Sequence, residues 1–114
     1  PVICAAALAT LNAIVEEKMV DEVEEKGQLF KDLLQHNAIK EVRGKGLMLA
    51  AEFESYEVLK QIIDGCIEDG LVTDWFLHCS NSMRIAPPLI ITKAEIHSAC
   101  KVILKNINRF YKAA

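Results

Sequence analysis

Residues 39–53, IKEVRGKGLMLAAEF, break the rhythm of the chain before them. Upstream, apolar residues recur every three or four positions. Here they recur every second position, at Leu47, Leu49, Ala51 and Phe53, with Val42 ahead of them. A two-residue period marks a strand with one buried face. Gly44 and Gly46 interrupt the pattern and point to a bulge or a close backbone approach, because glycine offers a strand no side chain to pack. The stretch is therefore expected to form a single strand over 41–53.

Toward the N-terminus, Ile3, Ala7, Leu11, Ile14 and Val15 repeat at helical spacing. After the charged break at Glu16, Glu17 and Lys18, the spacing resumes with Val20, Val23, Phe30, Leu33 and Leu34. Two consecutive helices, or one bent helix, are predicted to end near Asn37. PVICAAALATLNAIV, residues 1–15, carries no charged side chain, yet it is too short for a membrane span and lacks a signal peptide's basic flank. A helix apolar on nearly all sides needs cover on nearly all sides, and the rest of the chain is hardly enough to supply it. With a start on proline rather than methionine, these features lead us to expect a piece of a larger protein.

Toward the C-terminus, Ser55 is placed to cap a helix with the inward face Val58, Leu59, Ile62, Ile63, Cys66 and Ile67. Gly70 stands where a left-handed C-terminal residue belongs. LVTDWFLH and SMRIAPPLI flank the polar CSNS, and so read as two antiparallel strands joined by a turn. Thr92 opens a capping box with Glu95, and Ile91 and Ile96 are placed as its hydrophobic staple. The last helix then buries Ile96, Ala99, Cys100, Ile103, Ile107 and Phe110, leaving Lys101, Lys105, Arg109 and Lys112 for solvent or the helix C-terminus. The expected architecture is α+β: long N-terminal helices, then a three-stranded split βαβ sheet of order 1-3-2 with helices packed on it. Residues 1–114 form one domain on this reading, with 1–37 a helical segment and 38–114 the α+β part.

Composition narrows the function. A 52% hydrophobic content can build a core in 114 residues. The net charge of −3 is spread rather than blocked, which argues against nucleic-acid or anionic-membrane partners. Cys4, Cys66, Cys79 and Cys100 show no CxxC spacing and fit reduced thiols in a cytoplasmic protein. His78 and Cys79 lack a second ligand pair, so no metal site is expected, and His36 and His97 read as helix-surface or helix-end residues.

The residue that stands out is Arg84, set in SMRIAPPLII at residues 82–91. A guanidinium does not shed its charge, so it needs water, a carboxylate, or a ligand that supplies one. On a strand, Met83 and Ile85 point one way while Ser82, Arg84 and Ala86 point the other. Serine and alanine leave room for a carboxylate in front of Arg84, which can hold it by two parallel hydrogen bonds. An arginine on a solvated sheet face accounts for the same pattern. Other chemistry is thin: RGKG has no helix behind it, no nucleophile motif is present, no lysine is singled out, and Asp74 and Glu52 read as lone acids on a strand edge.

PVICAAALATLNAI, VRGKGLMLAAEF and MRIAPPLIIT, with the capped helix after them, resemble in order and separation the C-terminal part of class III pyridoxal-phosphate-dependent aminotransferases. That group includes the acetylornithine, ornithine and 4-aminobutyrate enzymes. The resemblance spans essentially the whole chain, and in the family a Gly-Gly-Asn sequence precedes the proline matching Pro1. It implies the C-terminal small domain of an enzyme, homodimeric in the parent, that moves an amino group between an amino acid or ω-amine and a 2-oxo acid. It also implies that Arg84, in the family's RxxPPL-like segment, receives the substrate carboxylate. The family's cofactor lysine, its aspartate at the pyridine nitrogen and its phosphate-binding threonine all lie upstream of Pro1. The isolated chain is therefore expected to carry no catalytic residue, bind no pyridoxal phosphate and be inactive. TDWFLHCSN is aromatic where many relatives are small and glycine-rich, which leaves the particular substrate open. A stand-alone small-molecule-binding regulatory domain with Arg84 as its anion anchor is the alternative reading of the residues.

Overall fold

The computed structural model describes residues 1–111. Eight elements follow one another: helix α1 (Val2–Glu16), helix α2 (Val23–Leu33), strands β1 (Glu41–Lys45) and β2 (Met48–Glu52), helix α3 (Tyr56–Glu68), strands β3 (Asp74–Phe76) and β4 (Cys79–Ile85), and helix α4 (Lys93–Phe110). The strands form one sheet in the order β1-β2-β4-β3, with every neighbouring pair antiparallel.

The expected three-strand sheet of order 1-3-2 is thus corrected to four strands, because residues 39–53 do not run straight. Lys45 pairs with Met48 around a two-residue turn at Gly46 and Leu47, folding the stretch into the β1–β2 hairpin. Gly46 sits at φ +53°, the positive value that a tight hairpin of this kind asks of its first turn residue. The parity of the apolar residues carries the same information. Val42 is even-numbered while Leu49 and Ala51 are odd, so one straight strand would put them on opposite faces. In the hairpin Val42 stands opposite Ala51, and both turn to the same side. Helix α2 then lies directly on the turn, its Gly27 leaving no room for a Cβ against the Gly46 carbonyl.

A second correction concerns CSNS. The turn lies one step earlier, at Leu77 and His78, with Phe76 opposite Cys79, and residues 79–82 begin strand β4. Their polar groups are used inside the sheet: Asn81 donates from Nδ2 to the Phe53 carbonyl at 3.0 Å, and Ser82 is fully buried. Polarity therefore marked internal hydrogen bonding, whereas the apolar Leu77 sits exposed at the tip.

Helices α2, α3 and α4 provide the other half of the core. Leu49, Ala51, Met83 and Ile85 from the sheet are buried in one cluster with Phe30, Leu34, Leu59, Ile62, Ile63, Cys66, Ile96, Cys100, Ile103 and Ile107. Burial of each large side chain contributes about 1.5–3 kcal/mol of transfer free energy. The caps are as expected: Ser55 Oγ accepts from Val58 N, and Thr92 and Glu95 close the full capping box. Gly70 takes a φ of +87° just beyond α3, and Ile91 packs against the cluster that holds Ile96. The expectation for Lys112 lies outside the described residues. Helix α1 buries none of its residues, and Val2, Ile3, Leu8, Leu11 and Val15 are all exposed.

Candidate functional site

Four residues stand in a row across the sheet. Arg43 on β1 pairs with Ala50 on β2, Ala50 with Arg84 on β4, and Arg84 with Asp74 on β3. Directly opposed residues project to the same face, so this row is the side of the sheet away from the helices. Strands lie about 4.8 Å apart, which sets the two arginine backbones roughly 10 Å from each other with only a methyl group between. Ala50 is what opens the space in front of the guanidiniums.

The alternation expected along β4 holds in part. Met83 and Ile85 are buried on the core side and Arg84 is half-exposed on the other. Ser82, expected to give Arg84 room, serves Arg43 instead: its Oγ lies 3.4 Å from Arg43 Nη2 and 3.2 Å from Cys79 Sγ. Ala86 lies past the end of the strand, exposed, where the chain enters Pro87 and Pro88.

Each guanidinium already has a carboxylate. Arg84 Nη2 donates to Asp74 Oδ2 at 2.8 Å, while Asp74 Oδ1 is buried without a hydrogen-bond partner among the described residues. Arg43 Nη1 donates to Glu52 Oε2 at 2.5 Å, with Glu41 3.6 Å away. Its hydrogen bond to Glu52 holds the Arg43 guanidinium above its ordinary pKa. Arg43, and the pairing of both lone acids, escaped the sequence reading. The missed signal was the hairpin, because only its register brings Arg43 and Glu52 beside β4.

Two cavities meet at Arg84. One, of about 590 Å³, lies over the sheet face, bounded by Arg43, Met48, Ala50, Phe76, Cys79 and Arg84. The other, of about 460 Å³, lies at the end of β4 among Asp74, Arg84, Pro87, Pro88, Phe30 and Ile103. The Pro87–Leu89 loop is tied down by Lys26, whose nearly buried ammonium donates to the Leu89 carbonyl at 3.1 Å and pairs with Glu22. A buried ammonium has to be paired in this way, so the contact fixes where the strand bearing Arg84 ends.

Among the described residues, no lysine lines either cavity. Lys26 is committed as described, and Lys31 donates to the Gly44 carbonyl. These residues do not by themselves make a pocket for an aldehyde cofactor that needs an amine to hold it. Among the described residues no group of three or more His, Cys, Asp or Glu could hold a metal ion, and no helix is long and apolar enough to cross a membrane. Cys66 and Cys100 are packing residues, their thiols pushed by burial up to about 11 and about 12.

Comparison with known proteins gives a consistent result. The family described as aminotransferase class-III matches residues 1–107. An acetylornithine aminotransferase from Caldanaerobacter subterraneus subsp. tengcongensis is 35% identical over 108 residues, covering 90% of this chain and 27% of the relative. Ornithine aminotransferase 2 from Staphylococcus aureus is 37% identical over 110 residues, covering 90% of this chain and 26% of that protein. Among solved structures, the acetylornithine aminotransferase of Elizabethkingia anophelis superposes with a TM-score of 0.85 at 31% identity, over 96% of this chain and 30% of that one. The chain therefore spans about a quarter of the length of the curated relatives it matches.

Proposed function

The chain belongs to the class III aminotransferase family, and from that premise we propose that it is the small domain of an enzyme that moves an amino group between an amino acid or ω-amine and a 2-oxo acid. Residues 1–37 serve as the helical link to a large domain and 38–114 as the α+β unit beside the active site. The exposed apolar surface of α1 supports this division, because a helix of that character is stable in water only when covered.

The observation that carries the reading is the placement of Arg84: half-exposed, on a rigid strand, facing space opened by Ala50 and bordering both cavities. Such a guanidinium offers a fork that matches a carboxylate. Its role is to fix one end of the substrate so that the amine at the other end is presented to the chemistry. Pyridoxal phosphate, the electron sink of such a reaction, belongs to the intact enzyme. Among the described residues no lysine lines the two cavities, which supports a holder for it elsewhere in the enzyme, and the isolated chain is expected to be inactive. A cytoplasmic homodimer is the form expected of the parent.

Steady-state kinetics of the intact enzyme test this reading. Arg84→Ala is expected to raise KM for carboxylate substrates by about thirtyfold, a loss of about 2 kcal/mol, the low end for a charge pair because Arg84 is half-exposed. An unchanged KM for every carboxylate substrate returns Arg84 to an ordinary solvated sheet face. Saturable binding of amino and oxo acids to the 114-residue chain alone would favour a free-standing regulatory domain.

A further inference from the structure

Lys26 is, among the described residues, the only lysine buried in the fold, with 9% of its side chain exposed. An apolar side chain would fill the same position without the cost of desolvating an ammonium. The ammonium reaches across 63 positions of sequence to donate to the Leu89 carbonyl at 3.1 Å, while its ion-pair partner Glu22, one turn back on α2, is largely in water. What this tether holds is stiff. Proline fixes φ at Pro87 and Pro88, and a following proline restricts Ala86 and Pro87 to extended conformations. The Pro88 carbonyl in turn accepts from the Ile91 N–H at 3.0 Å. A shift of Leu89 is therefore not absorbed within 86–88 but passed back to the end of β4, where Arg84 stands. From the other side, the Arg84 carbonyl accepts from Thr73 Oγ1 at 2.9 Å. Gly27, next along α2, lies against the Gly46 carbonyl of the β1–β2 turn. Consecutive residues of α2 thus fix the loop behind Arg84 relative to the hairpin that carries Ala50. The nearby Lys93–Glu25 pair also links α2 to the start of α4, but both groups are exposed, and such a pair adds little.

From this we infer that Lys26 is a positioning residue for the substrate carboxylate: its hold on the Leu89 carbonyl sets where β4 ends, and so where the Arg84 guanidinium projects. The inference rests on the transaminase reading above and adds to it a residue that lines neither cavity and acts only through the 87–89 loop. A fork of two parallel hydrogen bonds is demanding of direction, so a displacement on the order of 1 Å weakens it. The carboxylate is held alike before and during the transfer, which places the effect in KM rather than kcat.

The test uses the intact enzyme supplied with pyridoxal phosphate. Lys26→Met keeps a long unbranched side chain and removes the donor. It is expected to raise KM for carboxylate substrates about fivefold, with kcat held within about twofold and Tm within about 4 °C. Lys26→Arg restores a donor and should bring KM back to within about twofold of wild type. Amide hydrogen exchange is read on the same proteins: residues 84–91 should exchange at least about fivefold faster in the methionine variant, and β2 at the wild-type rate. Lys26→Gln repeats the comparison with a shorter neutral side chain if the methionine variant folds poorly. A KM within about twofold of wild type in the neutral variant overturns the inference. So does a fall in kcat and Tm without a selective rise in KM, which would make Lys26 a stabilising residue only, and so does unchanged exchange over 84–91. An intact enzyme that transaminates no donor sinks the transaminase reading, while the exchange measurement still decides whether Lys26 holds the end of β4.

Discussion

Gly27→Ala pits helix propensity against tertiary contact. Within a helix, alanine is favoured over glycine by about 1 kcal/mol, so α2 taken alone should gain from the change. In the folded chain a Cβ at Gly27 would stand 2.1 Å from the Gly46 carbonyl oxygen and 2.7 Å from its carbon, where ordinary contact begins near 3.4 Å. Both partners are backbone, so no side chain can swing away; α2 must back off the hairpin turn or the turn must open. Overpacking of this kind costs about 1–3 kcal/mol, and a clash with backbone belongs at or above the upper end. After the gain in propensity, a net loss of about 2 kcal/mol remains, a fall in Tm of roughly 8 °C for a domain of this size. Differential scanning calorimetry of wild type and variant reads it directly. An unchanged or higher Tm would mean that α2 does not rest on the turn, and would revive the reading of 39–53 as one straight strand.

Two further outcomes rest on local chemistry. Thr92→Ala removes the cap of α4 and should cost about 1 kcal/mol by urea denaturation, with a wild-type midpoint counting against the capping box. Glu95 belongs to the same box, and its carboxyl is held below the ordinary 4.5 by the hydrogen bond from the Thr92 backbone N–H. A pKa depressed on folding gives stability that is present above the unfolded value and lost as pH falls through the folded one. Stability curves should therefore slope downward below about pH 4.5, less steeply in Glu95→Gln; identical slopes would refute the contribution. Thiol labelling at pH 8 should reach the exposed Cys4 in the native state and leave Cys66 and Cys100 untouched until unfolding, because burial raises both thiols and hides them. Native-state labelling of Cys66 or Cys100 would contradict the packing around them.

The elements that were legible were those whose signals are local. Ser55 and Gly70 bracket α3, Thr92 and Glu95 start α4, and the apolar stripes of both helices end in the core except for Ile67, expected inward on α3 but half-exposed near its end. Each of these rests on contacts within a turn or two of the backbone. The errors came where one local signal served two geometries. An alternating run is compatible with one long strand or with a hairpin, and only the change of parity between Val42 and Leu49 separates them. CSNS has the composition of a turn, but polar side chains also belong in a strand when partners wait for them, as the Phe53 carbonyl does for Asn81.

The candidate site divides in the same way. Sequence alone determined the family resemblance, the strand carrying Arg84 and the reason its charge needs a partner, since these follow from residue type and alternation. Tertiary structure alone decided what stands beside that charge. Arg43 lies 41 positions before Arg84 and Asp74 lies 10 before it, and cross-strand register puts them in one row with Ala50. Register is a property of how strands are aligned by turns and by the burial of the opposite face, and no spacing within a single strand records it. The pairing of Arg84 with Asp74 exists only once the sheet has formed.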